Sequence, residues 1–406
     1  MTGRRTHVRF PFGRYLHPVG DDFVAVEIAS GIVLFFAAAV ALIVANVWSS
    51  GYTDLWSYHL TVGTGTLSVG YDFQHWVNEG LMTVFFLVVG IEIKRELVEG
   101  ELRDRRRAAL PVFAAVGGMV LPALIFLAWN PTAPANRGWG ITMATDLAFV
   151  LAVLAFVAPR VPAGLRLFLV TLAIVDDTVS VAVIALFYSR GLEPSWLLGV
   201  IGVLAVLIVL ARTRARPQVL YVPVGFAVLW FCTVKAGLSA ALVGVAIGLL
   251  TPAASRGERH VLRRLEAPLH LAASFVVVPL FALANAGIQL GPDELRAAGT
   301  SRVTWGIVVA RIVGKTLGIT LAVALALRLD VGRLPPSVTR RHILGVATLA
   351  GIGFTVALFI ADASYRGSQL ADAKVGILAS AIAAGIIGSD FLLRRVRRPT
   401  MPRGGR

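Results

Sequence analysis

Twelve apolar stretches recur along this chain, many of them about the length of a bilayer crossing, and that recurrence leaves few ways for it to fold. They run approximately from Val24 to Val47, Leu81 to Gly90, Ala108 to Trp129, Ile141 to Ala158, Leu167 to Tyr188 and Trp196 to Ala211. The second six run from Val219 to Val234, Leu238 to Leu250, Leu269 to Ile288, Trp305 to Leu327, Ile343 to Ile360 and Val375 to Leu392. Runs of about 20 apolar residues are read as transmembrane helices. With 57% hydrophobic and only 15% charged residues, the chain lies outside the range of ordinary soluble domains. The expected fold is an all-α polytopic membrane protein of about twelve transmembrane helices.

Charge orders these segments. Basic residues gather at Arg4 to Arg14, Arg103 to Arg107, Arg212 to Arg216, Arg256 to Arg264 and Arg394 to Arg398, in alternate joints. By the positive-inside rule this places both termini in the cytoplasm, with an even number of spans in the cell membrane. The net charge of +15 is explained by that topology, and no nucleic-acid partner is expected. Residues 1–22 are read as a cytoplasmic N-terminal segment without a cleaved signal, 23–394 as a single transmembrane domain, and 395–406 as a basic cytoplasmic tail. The single Cys232 permits no intrachain disulfide.

Charges inside the apolar runs are the candidates for function. Asp176 and Asp177 stand side by side in "TLAIVDDTVSVAVIALF", where a carboxylate near the middle of a span costs roughly 2.5 to 3.5 kcal/mol. Asp146 lies in "GITMATDLAFVLAVLAF" and Lys315, one of four lysines, in "VVARIVGKTLGITLAVAL". Each has a plainer reading: snorkelling for Lys315, and helix-to-helix hydrogen bonding for the aspartates. Carboxylates and an ammonium converging on one cavity would lower each other's burial cost and permit proton binding. Neighbouring helical residues project about 100° apart, so one aspartate can hold a cation while the other pairs with Lys315.

Thr145 beside Asp146, and the step from Gly351 to Gly353 in "TLAGIGFTVALFI", interrupt otherwise good helices. Each lies in the second span of a three-span unit, the pattern of inverted repeats whose discontinuous helices cross near the midplane and present backbone groups to an ion.

These residues resemble the NhaA sodium/proton antiporters, a family that is itself a standard instance of that architecture. The likeness runs from about Phe23 to Arg394 and rests on "FFLVVGIEIKREL", "ATDLAFVLAVLA", "LAIVDDTVSVAVIALFY", "PLFALANAG", "GKTLGI" and "GIGFT". It implies that Asp176 and Asp177 bind and exchange Na+, or Li+, and H+, with Asp146 and Thr145 in the assembly where the broken helices cross. It implies also that Lys315 pairs with Asp176. The implied activity is electrogenic, pH-regulated export of Na+ against H+, by a transporter and not an enzyme, with no cofactor beyond the transported ions.

Glu79, at a place where some relatives carry aspartate, is grouped with Glu92, Arg95, Glu96, Glu266 and His270 as the residues expected to regulate the response to pH; the last five resemble the family's pH-sensing cluster, although a solvated helix end with ion pairs is the plainer reading. Ser239 and Ala267 stand where relatives carry histidine, so the pH response is expected to differ. The segment 57–73, "HLTVGTGTLSVGYDF" at its centre, reads as a β-hairpin through which the family dimerises, or as a surface loop. A sodium-coupled symporter of the same fold is the alternative. An intramembrane aspartyl protease would need aspartates on separate helices, one in a G-x-G-D context, which the chain lacks.

Overall fold

The apolar runs fold as helices because a helix closes its own backbone hydrogen bonds, which lipid cannot do for it. The computed structural model describes residues 21–65, 68–100, 103–158, 161–188, 193–212, 218–251, 261–335 and 337–396. The basic stretches around Arg4 to Arg14, Arg214 to Arg216 and Arg256 to Arg259, and the tail from 397 onward, lie outside the described residues.

Helix α1 (Asp21–Val47) leads through α2 (Ser49–Trp56) into strands β1 (His59–Val62) and β2 (Val69–Asp72). The strands pair antiparallel, with Leu60 opposite Tyr71 and Val62 opposite Val69, so the segment is a hairpin and not a plain loop. It is shorter than 57–73, because Phe73 already begins α3 (Phe73–His75). A π-helical turn (Trp76–Leu81) joins α3 to α4 (Met82–Val98), and α5 (Arg105–Trp129) follows. The fourth apolar run is broken: a 3-10 helix (Ala135–Thr142), a non-helical joint over residues 143–146, then α6 (Leu147–Val157), bent by 52°.

Next come α7 (Ala163–Phe187), α8 (Pro194–Arg212), α9 (Gln218–Lys235) and α10 (Ala241–Leu250). Helix α11 (Val261–Ala272) passes through a π-helical turn (Ala273–Val277) into α12 (Val278–Asn285), and the short α13 (Pro292–Thr300) follows. Helix α14 (Arg302–Val309), a third π-helical turn (Ala310–Gly314) and α15 (Lys315–Arg328) make one apolar length. The eleventh run is broken at residues 350–354 between α16 (Arg340–Leu349) and α17 (Thr355–Ser364), and α18 (Gly367–Val396) ends the described chain.

Among the described residues, six helical lengths are long and apolar enough to cross a bilayer alone: Val24–Val47, Ala108–Trp129, Ala163–Phe187, Glu266–Asn285, Arg302–Arg328 and Gly367–Leu393. The rest are broken or short, so helix length does not by itself establish twelve spans. Several expected boundaries move: α4 runs on to Val98 and not Gly90, and α18 begins at Gly367 and not Val375. Helix α10 begins at Ala241 and not Leu238, and α11 begins at Val261, which puts Glu266 inside the helix.

Helices approach closely where the sequence supplies glycine. A Cβ at Gly117 would collide with the Gly318 carbonyl, and one at Gly318 with that of Gly117, so α5 and α15 meet backbone to backbone. Gly244 and Gly248, four apart on α10, do the same against Thr83, Leu87 and Gly90 of α4, a small-residue seam of the kind that substitutes close packing for the hydrophobic effect in lipid. Gly318→Val should therefore force these helices apart and destabilise the protein by about 1 to 3 kcal/mol. Thermal unfolding in detergent measures this, and an unchanged midpoint would refute the contact.

Candidate ion site

The two breaks touch. The Asp146 N–H donates to the Ile352 carbonyl at 2.9 Å, and the Thr145 hydroxyl lies 3.1 Å from the Ala350 carbonyl. Each joint thus supplies partners for backbone groups that the other's missing helical turn leaves open. Asp146 serves the start of both following half-helices: Oδ1 accepts from the Phe149 N–H at 3.3 Å, while Oδ2 accepts from the Thr355 hydroxyl at 2.9 Å and the Thr355 N–H at 3.3 Å. A carboxylate at two helix N-termini sits where the unpaired N–H groups and the helix dipole favour negative charge.

Gly351 and Gly353 permit this approach. A Cβ at Gly351 would press on the Arg311 carbonyl at 2.8 Å, and one at Gly353 would collide with the Arg311 guanidinium and the Ala144 carbonyl.

From α7, Asp176 is fully buried, and Lys315 Nζ reaches its Oδ2 at 2.9 Å. The ammonium also donates to the Thr145 hydroxyl, which lies 2.7 Å from the same Oδ2. That hydroxyl has one proton to give, to Asp176 or to Ala350. Asp177, turned away from this pair, lines a cavity of about 90 Å³ that Thr145, Asp146 and Thr355 also line. Its Oδ1 is buried and has no hydrogen-bond partner among the described residues. A buried carboxylate oxygen without a partner, on a residue that lines a cavity, is a strong acceptor for a proton or a hard cation.

The same cavity is lined by Glu92, Arg95 and His270, joining the aspartates to the expected regulatory cluster. Arg95 pairs with Glu266 and lies 3.7 Å from Glu96, while His270 Nε2 lies 3.6 Å from Glu92. The structure thus brings five of the six expected regulatory residues together. It sets Glu79 apart. That carboxylate accepts from the Ala240 N–H at 2.8 Å, at the start of α10 and beside Ser239, and the Trp230 indole donates to the Glu79 carbonyl.

Two buried charges escaped the sequence reading of the site. Glu27, in the first apolar run, lies 2.9 Å from His270 Nε2, and Arg311 donates to the Gly351 carbonyl at 3.2 Å and the Ala144 carbonyl at 3.1 Å. Both carried the signal that singled out Asp146, a charge within an apolar run.

Comparison with known proteins agrees with this architecture. The model of a family described as Na+/H+ antiporter 1 matches residues 21–392. The chain belongs to this family. The Na(+)/H(+) antiporter NhaA 1 of Clostridium beijerinckii is 41% identical over 375 residues, covering 91% of this chain and 93% of that relative. The Na(+)/H(+) antiporter NhaA of Escherichia coli O1:K1 / APEC is 43% identical over 386 residues, covering 92% and 98%. Among solved structures, the sodium proton antiporter MjNhaP1 of Methanocaldococcus jannaschii at pH 8 shares the fold, with a TM-score of 0.53 at 13% identity, over 92% of this chain and 96% of that one. This antiporter family is a family of transporters, and its members are multi-pass membrane proteins.

The direct Asp176 to Lys315 contact gives a measurable expectation. Lys315→Ala leaves a buried carboxylate without its cation and should cost about 3 to 5 kcal/mol of stability. Most of that loss should vanish when Asp176→Asn is added. Thermal unfolding of the four proteins in the cycle tests the contact, and additive losses would argue against it.

Proposed function

We propose that this chain carries out its family's Na+/H+ exchange at the Asp176 and Asp177 carboxylates, exporting Na+, and Li+ as well, in return for protons. The observation that carries the reading is that each aspartate keeps an oxygen without a partner, while Asp177 lines the cavity that Thr145 and Asp146 also line. Hard cations take oxygen ligands, and a carboxylate can bind either the cation or a proton but not both. Competition for the same oxygens then couples the two fluxes, provided that the site opens to one side of the membrane at a time.

In this reading Asp177 takes the arriving ion, and Asp176, held by Lys315 and Thr145, completes the site. Asp146 keeps the ends of α6 and α17 in place beside it. The cavity leads from the aspartates to Glu92, Arg95 and His270, which supports a cytoplasmic funnel whose charge state tunes access, with Glu27, Glu96 and Glu266 in the same network. Activity would rise with pH, because protons must leave the aspartates before Na+ can compete. Unequal charge per cycle would make the exchange electrogenic.

Orientation follows the positive-inside rule, with both termini cytoplasmic and twelve spans, two of them discontinuous and meeting near the midplane. A single transmembrane domain over 23–394 would then be flanked by the segments 1–22 and 395–406. The hairpin exposes Tyr58, Leu60 and Val62, which supports its use as a homodimer contact, since an isolated hairpin is marginal in water. A sodium-coupled symporter finds no support in the comparisons, and a cavity of about 90 Å³ is small for an organic solute.

The test is purified protein in sealed proteoliposomes, with internal pH followed after addition of Na+, Li+, K+ or choline. Na+ and Li+ should drive proton flux and K+ far less. Asp177→Asn, which keeps the shape and removes the charge, should reduce the flux to that of protein-free liposomes while the protein stays folded. Retained flux in that variant would make Asp177 structural.

A further inference from the structure

Arg311 is fully buried and, among the described residues, has no carboxylate within ion-pair distance. Burying a guanidinium without compensation is expensive. Its partners are backbone carbonyls of a particular kind. Ala144 O follows the last turn of the 3-10 helix Ala135–Thr142, and Gly351 O follows the last turn of α16, so the positive charge sits against the carbonyl ends of both broken helices. Such ends carry roughly half a negative charge each. Asp146 makes the mirror arrangement at the amide ends of α6 and α17. Gly353 is what lets the guanidinium reach Ala144, since any Cβ there would collide with it. One nitrogen, Nη1, remains buried without a partner, so hydrogen bonding alone does not account for an arginine here.

We propose that Arg311 is the fixed positive charge that neutralises the carbonyl ends of the two broken helices, which leaves Lys315 to Asp176 and sets how tightly the site holds cations. The proposal rests on the exchange reading above. Arg311 lies four residues before Lys315, and both face the same crossing. Of the charged groups from other elements, Asp146, at the break before α6, faces Arg311, while Asp176 and Asp177 of α7 face Lys315 one turn on. Helix α5 meets this length of chain through Gly117, Gly118 and Pro122, and α18 meets the adjoining break through Ala384, none of which titrates. A fixed cation at that position disfavours any further cation at the aspartates, protons and Na+ alike. Arg311 is thus a positioning residue whose charge, and not only whose packing, matters.

Removing the charge should tighten Na+ binding. In proteoliposomes, Arg311→Met and Arg311→Gln are expected to lower the apparent KM for Na+ several-fold at the alkaline plateau. Arg311→Lys, which keeps the charge but not the fork, should keep the wild-type KM. An unchanged KM in a folded neutral variant would overturn the proposal, leaving Arg311 a packing residue. If neither neutral variant folds while Arg311→Lys does, the charge assignment is supported; if Arg311→Lys also fails to fold, it is overturned. Absence of Na+-driven flux in the wild type would instead refute the exchange reading itself.

Discussion

The structure depends on the contact between two interrupted helices, in a bundle where lipid cannot complete a broken turn. Every amide and carbonyl freed at residues 143–146 and 350–354 needs a partner, and the nearest partners are those of the other joint. The hydrogen bond from Asp146 to Ile352, the Thr145 hydroxyl beside Ala350 and the Arg311 bonds to Ala144 and Gly351 hold the crossing together. Glycine at 351 and 353 is the steric condition for that contact. The buried charges of Asp146, Asp176, Arg311 and Lys315 are arranged around it.

The placement of charge follows. Half-helix amide ends favour an anion and carbonyl ends a cation, so Asp146 and Arg311 each answer two helix ends at once. With those fields answered, Asp176 can pair with Lys315 through Oδ2, while Asp177 lines the cavity; each keeps one oxygen without a partner. Two neighbouring carboxylates on one helix thus acquire different roles through the roughly 100° between them, without any difference in chemistry. The proposed exchange uses that inequality, with one group holding the site in shape and the other exchanging its occupant.

Much of this was legible because membrane insertion makes charge rare. Asp146, Asp176, Asp177 and Lys315 stand out in apolar runs, and the glycines of "GIGFT" mark a break by composition alone. Glu27 and Arg311 carried the same mark without a motif beside them to give it meaning. Glu79 was grouped with the regulatory residues on acidity, but it lies at the far end of its helix from Glu92 and answers the start of α10 instead. The π-helical turns at Trp76–Leu81, Ala273–Val277 and Ala310–Gly314 left no signal in the apolar pattern, because one extra residue in a turn changes neither composition nor length appreciably.

From the order of residues alone follow the membrane bundle, the approximate place of each apolar run, and the rare charges and glycines that interrupt them. Those are local properties, set by the cost of a polar group in lipid. The tertiary structure supplies the contacts themselves: Thr145 beside Ala350, Lys315 on Oδ2 of Asp176 as the resemblance implied, and Arg311 rather than Lys315 on the Ala144 and Gly351 carbonyls. These contacts join residues far apart in sequence, 170 positions for Thr145 and Lys315 and 209 for Asp146 and Thr355. Their geometry depends on how the glycine seams let whole helices approach, a constraint that no single segment carries.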